Sequence, residues 1–239
     1  MNIDVREWKH DGTTVSALGD FEIHVWQWNH DAAFAHGGDL YAVLSDDERA
    51  RAARFLVEEP RREFVATRAT VRQVLGNYLN VAAKSLQFKY ADRGKPSLAN
   101  ANNDAFQFNI SHSGDISVLA IVRSREIGID IEQIRPDVEA SALAERFFSP
   151  DERNRLLKLH GEHLAHGFFR LWTRKEAYIK ARGDGLSLAL DSFDVSLEAG
   201  EQSALLHTRP DALQAKKWTV SDLHMPRGYE GALAFAELA

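Results

Sequence analysis

A short acidic stretch, residues 128–132 with the sequence GIDIE, carries the first side chains that could do chemistry. Its apolar and acidic residues alternate, which is typical of a strand. The period of two puts Asp130 and Glu132 on one face and the isoleucines on the other. Taken alone, the pattern also fits an edge strand whose acidic face is simply solvated.

A second stretch, residues 172–180 with the sequence WTRKEAYIK, has the pattern of a helix. At about 100° per residue, Glu176 lies roughly 40° and Lys180 roughly 80° from Trp172 around the axis, both on the same side. A carboxylate and an ammonium group therefore sit at the edge of an apolar face that must pack against another element. Taken alone, an acid and a base four residues apart also fit an exposed pair worth only tenths of a kcal/mol.

The two stretches share one interpretation if the helix packs on the acidic strand. Asp130, Glu132 and Glu176 would then converge, and three carboxylates close together are unstable unless protons or a cation neutralise them. A ligand set made only of oxygen atoms suits Mg²⁺. The sequence therefore predicts a magnesium site that depends on a single strand–helix contact.

Composition limits the classes of protein. The chain has 239 residues, 44% of them hydrophobic and 27% charged, as in soluble globular proteins with one large domain or two small ones. A net charge of −6 argues against general nucleic-acid binding. The absence of cysteine excludes disulfides, thiolate metal sites and cysteine nucleophiles. Because the sequence shows neither a signal peptide nor a membrane-spanning stretch, we expect a cytoplasmic protein.

Several elements must position the two stretches. The first predicted strand follows residues 1–20, which are polar and sparsely patterned. Alternation and capping predict strands at residues 21–26, 86–90, 106–110, 116–122 and 127–132, and helices at 45–55 and from after Pro60 to about Leu79. The short links between the last three strands indicate an antiparallel meander.

The second half of the sequence echoes the first. The capping box that begins at Ser45 recurs at Ser149, an offset of 104 residues, and the same offset lays the two long helices over each other. Residues 119–122 resemble residues 233–236 with an offset of 114. We interpret these similarities as a diverged duplication, although two serine-capped helices can also resemble each other by chance.

The predicted fold is α+β, with two similar α/β halves related by a pseudo-two-fold axis. Each half is expected to hold a small, mainly antiparallel sheet packed on a long helix. The halves are residues 1–124 and 125–239, and a cleft between two such halves is a usual place for a ligand.

Five motifs follow one another along the chain: Arg93-Gly94-Lys95-Pro96, Phe108-Asn109-Ile110-Ser111-His112-Ser113, Gly128-Ile129-Asp130-Ile131-Glu132, Phe147-Phe148-Ser149 and Trp172-x-x-Lys175-Glu176-Ala177-x-x-Lys180-x-x-Gly183. In this order they resemble the motifs of the 4′-phosphopantetheinyl transferases, in particular the long, single-chain, pseudo-dimeric type. Gly-x-Asp-x-Glu alone is a weak signal, but its combination with the tryptophan motif is highly specific. The resemblance covers about residues 44–195.

This resemblance implies that coenzyme A and Mg²⁺ bind in the cleft. A serine hydroxyl of an acyl, peptidyl or aryl carrier protein then attacks the β-phosphorus, the phosphopantetheine arm is transferred, and adenosine 3′,5′-bisphosphate leaves. Asp130, Glu132 and Glu176 would hold the Mg²⁺. Glu176 is also the candidate general base, with a metal-bound water as the alternative.

Other matched positions would bind coenzyme A. Lys180 would stabilise the leaving phosphate, and Lys175 would contact the diphosphate or the incoming serine. The remaining expected contacts are Ser111, His112, Arg49 and Arg51 at the 3′-phosphate, with Lys95 and Pro96 beside the adenine. Glu48 and Glu63 depart from the family pattern, because they stand where basic residues are expected.

Two other classes of function share part of this pattern. A different Mg²⁺-dependent phosphoryl enzyme, such as a nucleotide pyrophosphatase, would use the same carboxylates without a carrier protein. A catalytically silent module that binds carrier domains or coenzyme A would have little need for the full set of carboxylates and lysines.

The duplication predicts a monomer. Phe147, Phe148 and the helix from Ser149 are candidates for the carrier-docking surface.

Overall fold

A computed structural model of the chain describes residues 1–11, 14–35, 38–91, 94–99, 106–200 and 204–237. Arg93 of the predicted basic turn lies outside the described residues. The described chain has a mixed α+β fold, in which strands, α-helices and 3₁₀ turns alternate. None of its described helices is long and apolar enough to cross a membrane.

The described part of the chain forms eleven strands and six α-helices. The strands are β1 (Asn2–Glu7), β2 (Glu22–Asn29), β3 (Phe88–Tyr90), β4 (Pro96–Leu98), β5 (Phe106–Ser113), β6 (Ile116–Arg123), β7 (Ile127–Gln133), β8 (Phe193–Val195), β9 (Leu205–Thr208), β10 (Trp218–Asp222) and β11 (Tyr229–Ala236). The helices are α1 (His30–Ala35), α2 (Asp46–Ala52), α3 (Glu58–Leu79), α4 (Ala140–Phe147), α5 (Pro150–Leu156) and α6 (Glu162–Arg182). A 3₁₀ turn at Ala83–Ser85 follows α3, and another at Leu190–Ser192 follows α6.

Most strands belong to two sheets. The first has the order β1-β2-β6-β5, with β1 parallel to β2 and the other pairs antiparallel, and the second has the antiparallel order β10-β11-β7. The predicted meander of three consecutive strands is wrong, because β6 pairs with β2 and β5 while β7 pairs with β11. A turn in which Ser124 has a φ of 49° carries the chain from one sheet to the other.

Strand β1 lies within the residues that were too sparsely patterned to predict a strand. Ile3 and Val5 alternate with polar residues there and pack against the core between the sheets. The apolar signal is short, because β1 is an edge strand whose hydrogen-bonded neighbour is β2 alone.

The two sheets face each other across a shared apolar layer, and a long helix covers the outer face of each. Val25 of the first sheet and Ile129 of the second are fully buried in the shared layer. Val71 and Leu75 of α3 pack in the cluster outside the first sheet, and Ala177 of α6 packs in the cluster outside the second. Each helix thus buries one apolar stripe on a sheet, as layered α+β folds require.

Helix α6 approaches β7 very closely at Gly128. A Cβ atom at this position would lie 2.1 Å from the Ala177 carbonyl oxygen and 2.2 Å from the Ala181 nitrogen, so only glycine fits. This contact confirms the strand-on-helix packing on which the predicted metal site depends.

The strand order of one sheet recurs in the other. β5-β6-β2 in the first sheet corresponds to β10-β11-β7 in the second. Ile23 pairs with Val122 and Ile127 pairs with Phe235, which gives offsets of 104 for β2 and β7 and of 113 for β6 and β11. The predicted offset of 114 for the latter pair was one residue too long, and in a strand one residue exchanges the two faces.

Candidate active site

The acidic face of β7 is buried beneath α6. Asp130 is 4% exposed and Glu132 is partly buried, whereas Ile129 and Ile131 lie in the apolar layer between the sheets. The predicted division of the two faces is therefore confirmed. The alternative of a solvated acidic face is wrong, because α6 covers it.

Asp130 is the centre of a small polar group. Its Oδ1 accepts hydrogen bonds from Lys180 Nζ at 2.6 Å and from Ser111 Oγ at 2.8 Å. Lys180 Nζ also donates to Ser111 Oγ at 3.0 Å. The second oxygen, Asp130 Oδ2, is buried and makes no hydrogen bond. A buried carboxylate oxygen without a hydrogen-bond donor reduces the stability of the fold, so this atom indicates a place where a ligand could bind.

The neighbouring carboxylates lie close enough to perturb one another. Burial raises the pKa of Glu176, and the charge of Asp130 raises it further, against the opposing effect of Lys180. Burial also raises the pKa of Glu132, whose Oε2 accepts a hydrogen bond from Ser113 Oγ at 2.7 Å. Burial is the main cause of both shifts, and the additional effect of Asp130 on both pKa values places the three carboxyl groups near one another where β7 meets α6.

The donor set fits Mg²⁺ as a partial ligand set. Asp130 supplies an oxygen without a hydrogen bond, and the carboxyl groups of Glu132 and Glu176 carry unfavourable charge nearby. Among the described residues, no group of three or more histidine, cysteine, aspartate or glutamate side chains is arranged so that it could hold a metal ion by itself, so the protein supplies an incomplete ligand set. Mg²⁺ usually takes one or two carboxylates and completes its shell with water and substrate phosphates, so a partial set suits it.

A cleft of about 260 Å³ opens beside this group. Its lining comes from the turn before β4, from β5 and from the end of α6, and consists of Gly94, Lys95, Pro96, Asn109, Ile110, Glu176, Ile179, Lys180, Gly183 and Gly185. Glu176 and Lys180 thus face the same space as Pro96, which was expected beside the adenine. The cleft lies between elements of the first and second halves of the sequence.

Alternate side chains of β5 bind β7 across this boundary. Asn109 Oδ1 accepts a hydrogen bond from Ile129 N at 2.9 Å, and Ser113 Oγ accepts one from Gln133 N at 3.0 Å. Ser111 lies between them and binds Asp130, so its hydroxyl belongs to the carboxylate group. The positioning roles of Asn109 and Ser113 were not predicted, although their period of two is visible in the sequence. The predicted strand at residues 106–110 was too short, because β5 continues through His112 to Ser113.

Lys95 lines the cleft, but its ammonium group is occupied. Its Nζ donates to the carbonyl oxygens of Ile127, Lys180 and Ala181 at 2.9, 2.8 and 3.1 Å. Burial lowers the pKa of this lysine. The contacts fasten the turn before β4 to the end of α6, where the last carbonyl groups of a helix lack partners. The three carbonyl contacts use all the donors of the Lys95 ammonium group, and the place of Lys95 beside the adenine stays a prediction.

Lys175 does not reach the cleft. Its side chain is 0% exposed, and its Nζ lies 2.8 Å from Glu152 Oε1. It also donates to the carbonyl oxygens of Leu190 and Phe193, each at 2.7 Å. We therefore correct the expectation that Lys175 contacts the substrate, because residue 175 lies about 100° around the helix from residue 176.

The expected 3′-phosphate clamp is not assembled. Arg49 donates to the Leu44 carbonyl oxygen at 2.6 Å and pairs with Asp46. His112 Nδ1 lies 2.8 Å from Glu63 Oε1. Glu63, which departs from the family pattern, therefore pairs with a residue that was expected to contact the phosphate.

The other departure is buried in an ion pair, and the remaining arginine is exposed. Glu48 Oε2 lies 2.6 Å from Arg72 Nε, and neither side chain is accessible. Arg51 is exposed, with its guanidinium 5.0 Å from the centre of the Phe64 ring.

The two phenylalanines that were expected near the carrier pack inside the protein. The Phe148 ring is 3% exposed and stacks on Phe168, with 5.4 Å between the ring centres. The partly buried Phe147 contacts the edge of Trp172 at 5.8 Å. Phe148 is thus excluded as a docking residue, because a partner cannot reach its side chain.

Two family models together match most of the chain. The model for the 4′-phosphopantetheinyl transferase superfamily matches residues 126–234. The model described as 4′-phosphopantetheinyl transferase, N-terminal, matches residues 28–124. The chain belongs to the 4′-phosphopantetheinyl transferase superfamily. The two models adjoin at the turn that leads from the first sheet to the second.

Individual members of this superfamily are similar over most of the chain. It is 39% identical to the 4′-phosphopantetheinyl transferase HetI of Nostoc sp. over 218 residues, which are 90% of this chain and 88% of that protein. It is 37% identical to the 4′-phosphopantetheinyl transferase psf-1 of Bacillus pumilus over 167 residues, or 70% and 69% of the two chains. The 4′-phosphopantetheinyl transferase Sfp of Bacillus subtilis is 35% identical over 164 residues, or 69% of this chain and 71% of Sfp.

Proposed function

We propose that this superfamily member transfers the 4′-phosphopantetheine arm of coenzyme A to a serine hydroxyl of an acyl or peptidyl carrier protein. Adenosine 3′,5′-bisphosphate is the second product. The observation that carries the proposal is the group of Asp130, Glu176 and Lys180 beside the cleft. Transfer of a phosphoryl group depends mainly on positioning and on electrostatic stabilisation, which carboxylates with a cation and a lysine can supply.

Asp130, Glu132 and Glu176 would hold Mg²⁺, directly or through water. When bound, Mg²⁺ supplies positive charge that neutralises the phosphate oxygens of the diphosphate. Ser111 and Lys180 keep Asp130 Oδ1 in place, so that Oδ2 is the oxygen left for the ion. Ser113 orients Glu132 in the same way.

Glu176 would accept the proton of the attacking serine hydroxyl. Its raised pKa makes this carboxylate a better base than an exposed glutamate. The serine oxygen forms a bond to the β-phosphorus as the bond from that phosphorus to the bridging oxygen breaks. Lys180 would donate to the leaving phosphate, whose negative charge grows in this step.

The activity is tested by incubating the protein with coenzyme A, Mg²⁺ and an apo-carrier protein and then weighing the carrier. A gain of one phosphopantetheine arm supports the proposal. Cleavage of coenzyme A without modification of the carrier would instead indicate a pyrophosphatase, and no change in either would indicate a silent binding module. Asp130→Ala is the matched variant, and we expect it to abolish transfer while the circular dichroism spectrum stays native.

The proposal extends to the organisation of the chain. We propose that residues 1–124 and 125–239 are diverged copies related by a pseudo-two-fold axis, which the repeated strand order supports. A single chain then builds the whole cleft, so the protein is expected to act as a monomer. We further propose that it works in the cytoplasm. Sedimentation equilibrium at 26.9 kDa rather than twice that mass is the expected result.

A further inference from the structure

The strongest feature outside the cleft is a buried network around Lys175. An ammonium group has three N–H donors, and Lys175 directs them at Glu152 and at the carbonyl oxygens of Leu190 and Phe193. The side chain is fully buried, so no donor is left for a substrate. Lys175 immediately precedes the proposed base Glu176 on α6.

Glu152 ties this lysine to two further elements. Its Oε2 accepts a hydrogen bond from Ser149 N at 3.0 Å, which closes the capping box of α5. Its Oε1 accepts a hydrogen bond from Val195 N at 2.7 Å, in addition to the contact with Lys175. One buried ion pair thus joins the start of α5, the strand β8 and the middle of α6.

The first half of the chain contains a similar buried network, in which an arginine takes the place of the lysine and the carboxylate also pairs with Arg68. Glu48 Oε2 accepts from Ser45 N at 3.1 Å and pairs with Arg72 of α3 at 2.6 Å. Arg72 donates to the carbonyl oxygens of Ala83 and Leu86 at 3.1 and 2.9 Å. In both halves, then, the base binds the first residue of a 3₁₀ turn and the residue directly after that turn.

The two networks differ by one residue in the position of the base. At the offset of 104 residues, Arg72 corresponds to Glu176, whereas the basic residue of the second network is Lys175. One residue is about 100° of rotation around a helix. Because of this shift, the buried basic side chain of the second half does not occupy position 176. The carboxylate of Glu176 can therefore face the cleft and β7.

We propose that Lys175 is a positioning residue, whose ion pair with Glu152 fixes the rotation of α6 so that Glu176 and Lys180 face the acidic strand. This inference rests on the proposed function, since it assigns the two cleft residues the roles given above. The proposal also gives a reason for burying the Lys175–Glu152 ion pair. A buried ion pair often stabilises a fold no more than apolar side chains of similar volume would.

The test uses the first-half network as an internal control. The pair Lys175→Met with Glu152→Gln removes the second network, and Arg72→Met with Glu48→Gln removes the first. Two readouts are compared at a temperature where circular dichroism shows each protein to be folded. The first is the affinity for Mg²⁺ alone by isothermal titration calorimetry, and the second is kcat for carrier modification at saturating Mg²⁺ and coenzyme A.

Both double variants are expected to lower the melting temperature, because the methionine in each leaves two backbone carbonyl oxygens without their donor. Only the second-half variant should weaken Mg²⁺ binding, by about tenfold or more, since groups that orient metal ligands typically contribute that much. Its kcat should fall by a similar factor. Wild-type Mg²⁺ affinity and kcat in the folded second-half variant would overturn the proposal, and so would equal losses in the first-half variant.

A milder variant covers the case in which the double variant does not fold. Glu152→Gln keeps an amide oxygen for Val195 N and Lys175 Nζ, so it is expected to fold and still to bind Mg²⁺ less tightly than wild type. Unchanged Mg²⁺ affinity in this variant would contradict a positioning role. The calorimetric readout needs no carrier protein, so failure of the proposed transfer reaction, seen as unmodified carrier with the wild-type protein, is distinguishable from failure of this inference.

Discussion

The two carboxylate oxygens of Asp130 have opposite surroundings. Oδ1 takes hydrogen bonds from Ser111 and Lys180, while Oδ2 is buried without a donor. A buried acceptor without a hydrogen bond costs about 1–3 kcal/mol, so this residue lowers the stability of the ligand-free fold. Functional sites commonly hold groups that the fold alone would not favour.

Glu176→Gln is expected to stabilise the protein while removing its activity. The pKa of Glu176 is raised, so its charged form is unfavourable in the folded state. The stability cost is absent below the unfolded pKa near 4.5 and grows as pH rises through the raised folded value. Urea unfolding without Mg²⁺ should therefore show a more stable variant at pH 7, with the gain lost below about pH 4.5. Carrier modification should fall by about 10²-fold or more.

Glu145→Gln, on the exposed side of α4, is the matched control and should change neither quantity. A Glu176→Gln protein that is less stable than wild type at pH 7 would contradict the raised pKa of the buried Glu176 carboxyl group. Wild-type transfer by the same variant would remove Glu176 from the reaction.

Arg51 is the remaining candidate for the 3′-phosphate, because it is exposed and makes no hydrogen bond or ion pair to a described side chain. Arg51→Ala is expected to raise KM for coenzyme A by about tenfold, as loss of a charge-assisted hydrogen bond would, and to change KM for dephospho-coenzyme A little. Arg155→Ala, at the corresponding exposed position of α5, serves as the control. Equal increases for both substrates would exclude Arg51 from this contact.

At the scale of elements, the decisive contact is that of β7 with α6 at Gly128. Lys95 fastens the end of the same helix through the Lys180 and Ala181 carbonyl groups. The backbone separation at this point sets the distance between the acidic strand and the helix residues that face it. A single methyl group inserted there acts on the whole site.

Gly128→Ala is expected to destabilise the protein by about 3 kcal/mol or more, because its Cβ would overlap backbone atoms that no side-chain rotation can move. Transfer by the folded fraction should also fall, since α6 must shift away from β7. Gly38→Ala is the control, because a Cβ there meets nothing within 4 Å. Urea unfolding of both variants measures the difference, and a Gly128→Ala protein as stable as the Gly38→Ala protein would refute the close contact.

Many of the described elements follow from local sequence, and their pairing does not. Alternation located β2, β5, β6 and β7, and the serine capping boxes located α2 and α5. The assignment of β7 to the second sheet depends on its contact with β11, a hundred residues away in the chain. The short links between β5, β6 and β7 led instead to the prediction of a meander, of which only the pairing of β5 with β6 is present.

At the scale of the whole molecule, a few polar groups are buried on the outer side of the first sheet, where α3 covers it. His30 is 8% exposed, and its Nε2 lies 2.7 Å from Ser117 Oγ, which in turn lies 2.9 Å from Thr67 Oγ1. Burial, helped by the nearby charge of His112 and opposed by Asp115 and Asp31, lowers the pKa of His30 to about 4. The folded protein thus holds this imidazole in its neutral form.

Acid should therefore destabilise the fold through His30. The unfolded chain binds a proton near pH 6.5 and the folded chain only near pH 4, so the unfolding free energy falls as pH drops from 6.5 toward 4. The full loss is about 3 kcal/mol at 1.36 kcal/mol per pH unit. Urea unfolding of wild type and of His30→Gln between pH 7 and pH 4 measures it. Parallel pH profiles of the two proteins would show that His30 is not responsible.

The sequence by itself determined the chemistry of this protein. Residue type, the period of two in residues 128–132 and the spacing of residues 172–180 are local properties, and they were sufficient to predict the acidic face, the lysine beside it and the superfamily. The long helices and the two capping boxes could also be predicted from short stretches of sequence.

Only the tertiary structure decided which of the basic residues are free to act. Lys95 and Lys175 match the family motifs as well as Lys180 does, but their ammonium groups bind backbone carbonyls and, for Lys175, Glu152. The partner of a long, flexible side chain is chosen by whatever acceptors the fold brings within about 3 Å. Those acceptors come from elements far away in sequence, so no local pattern encodes the choice.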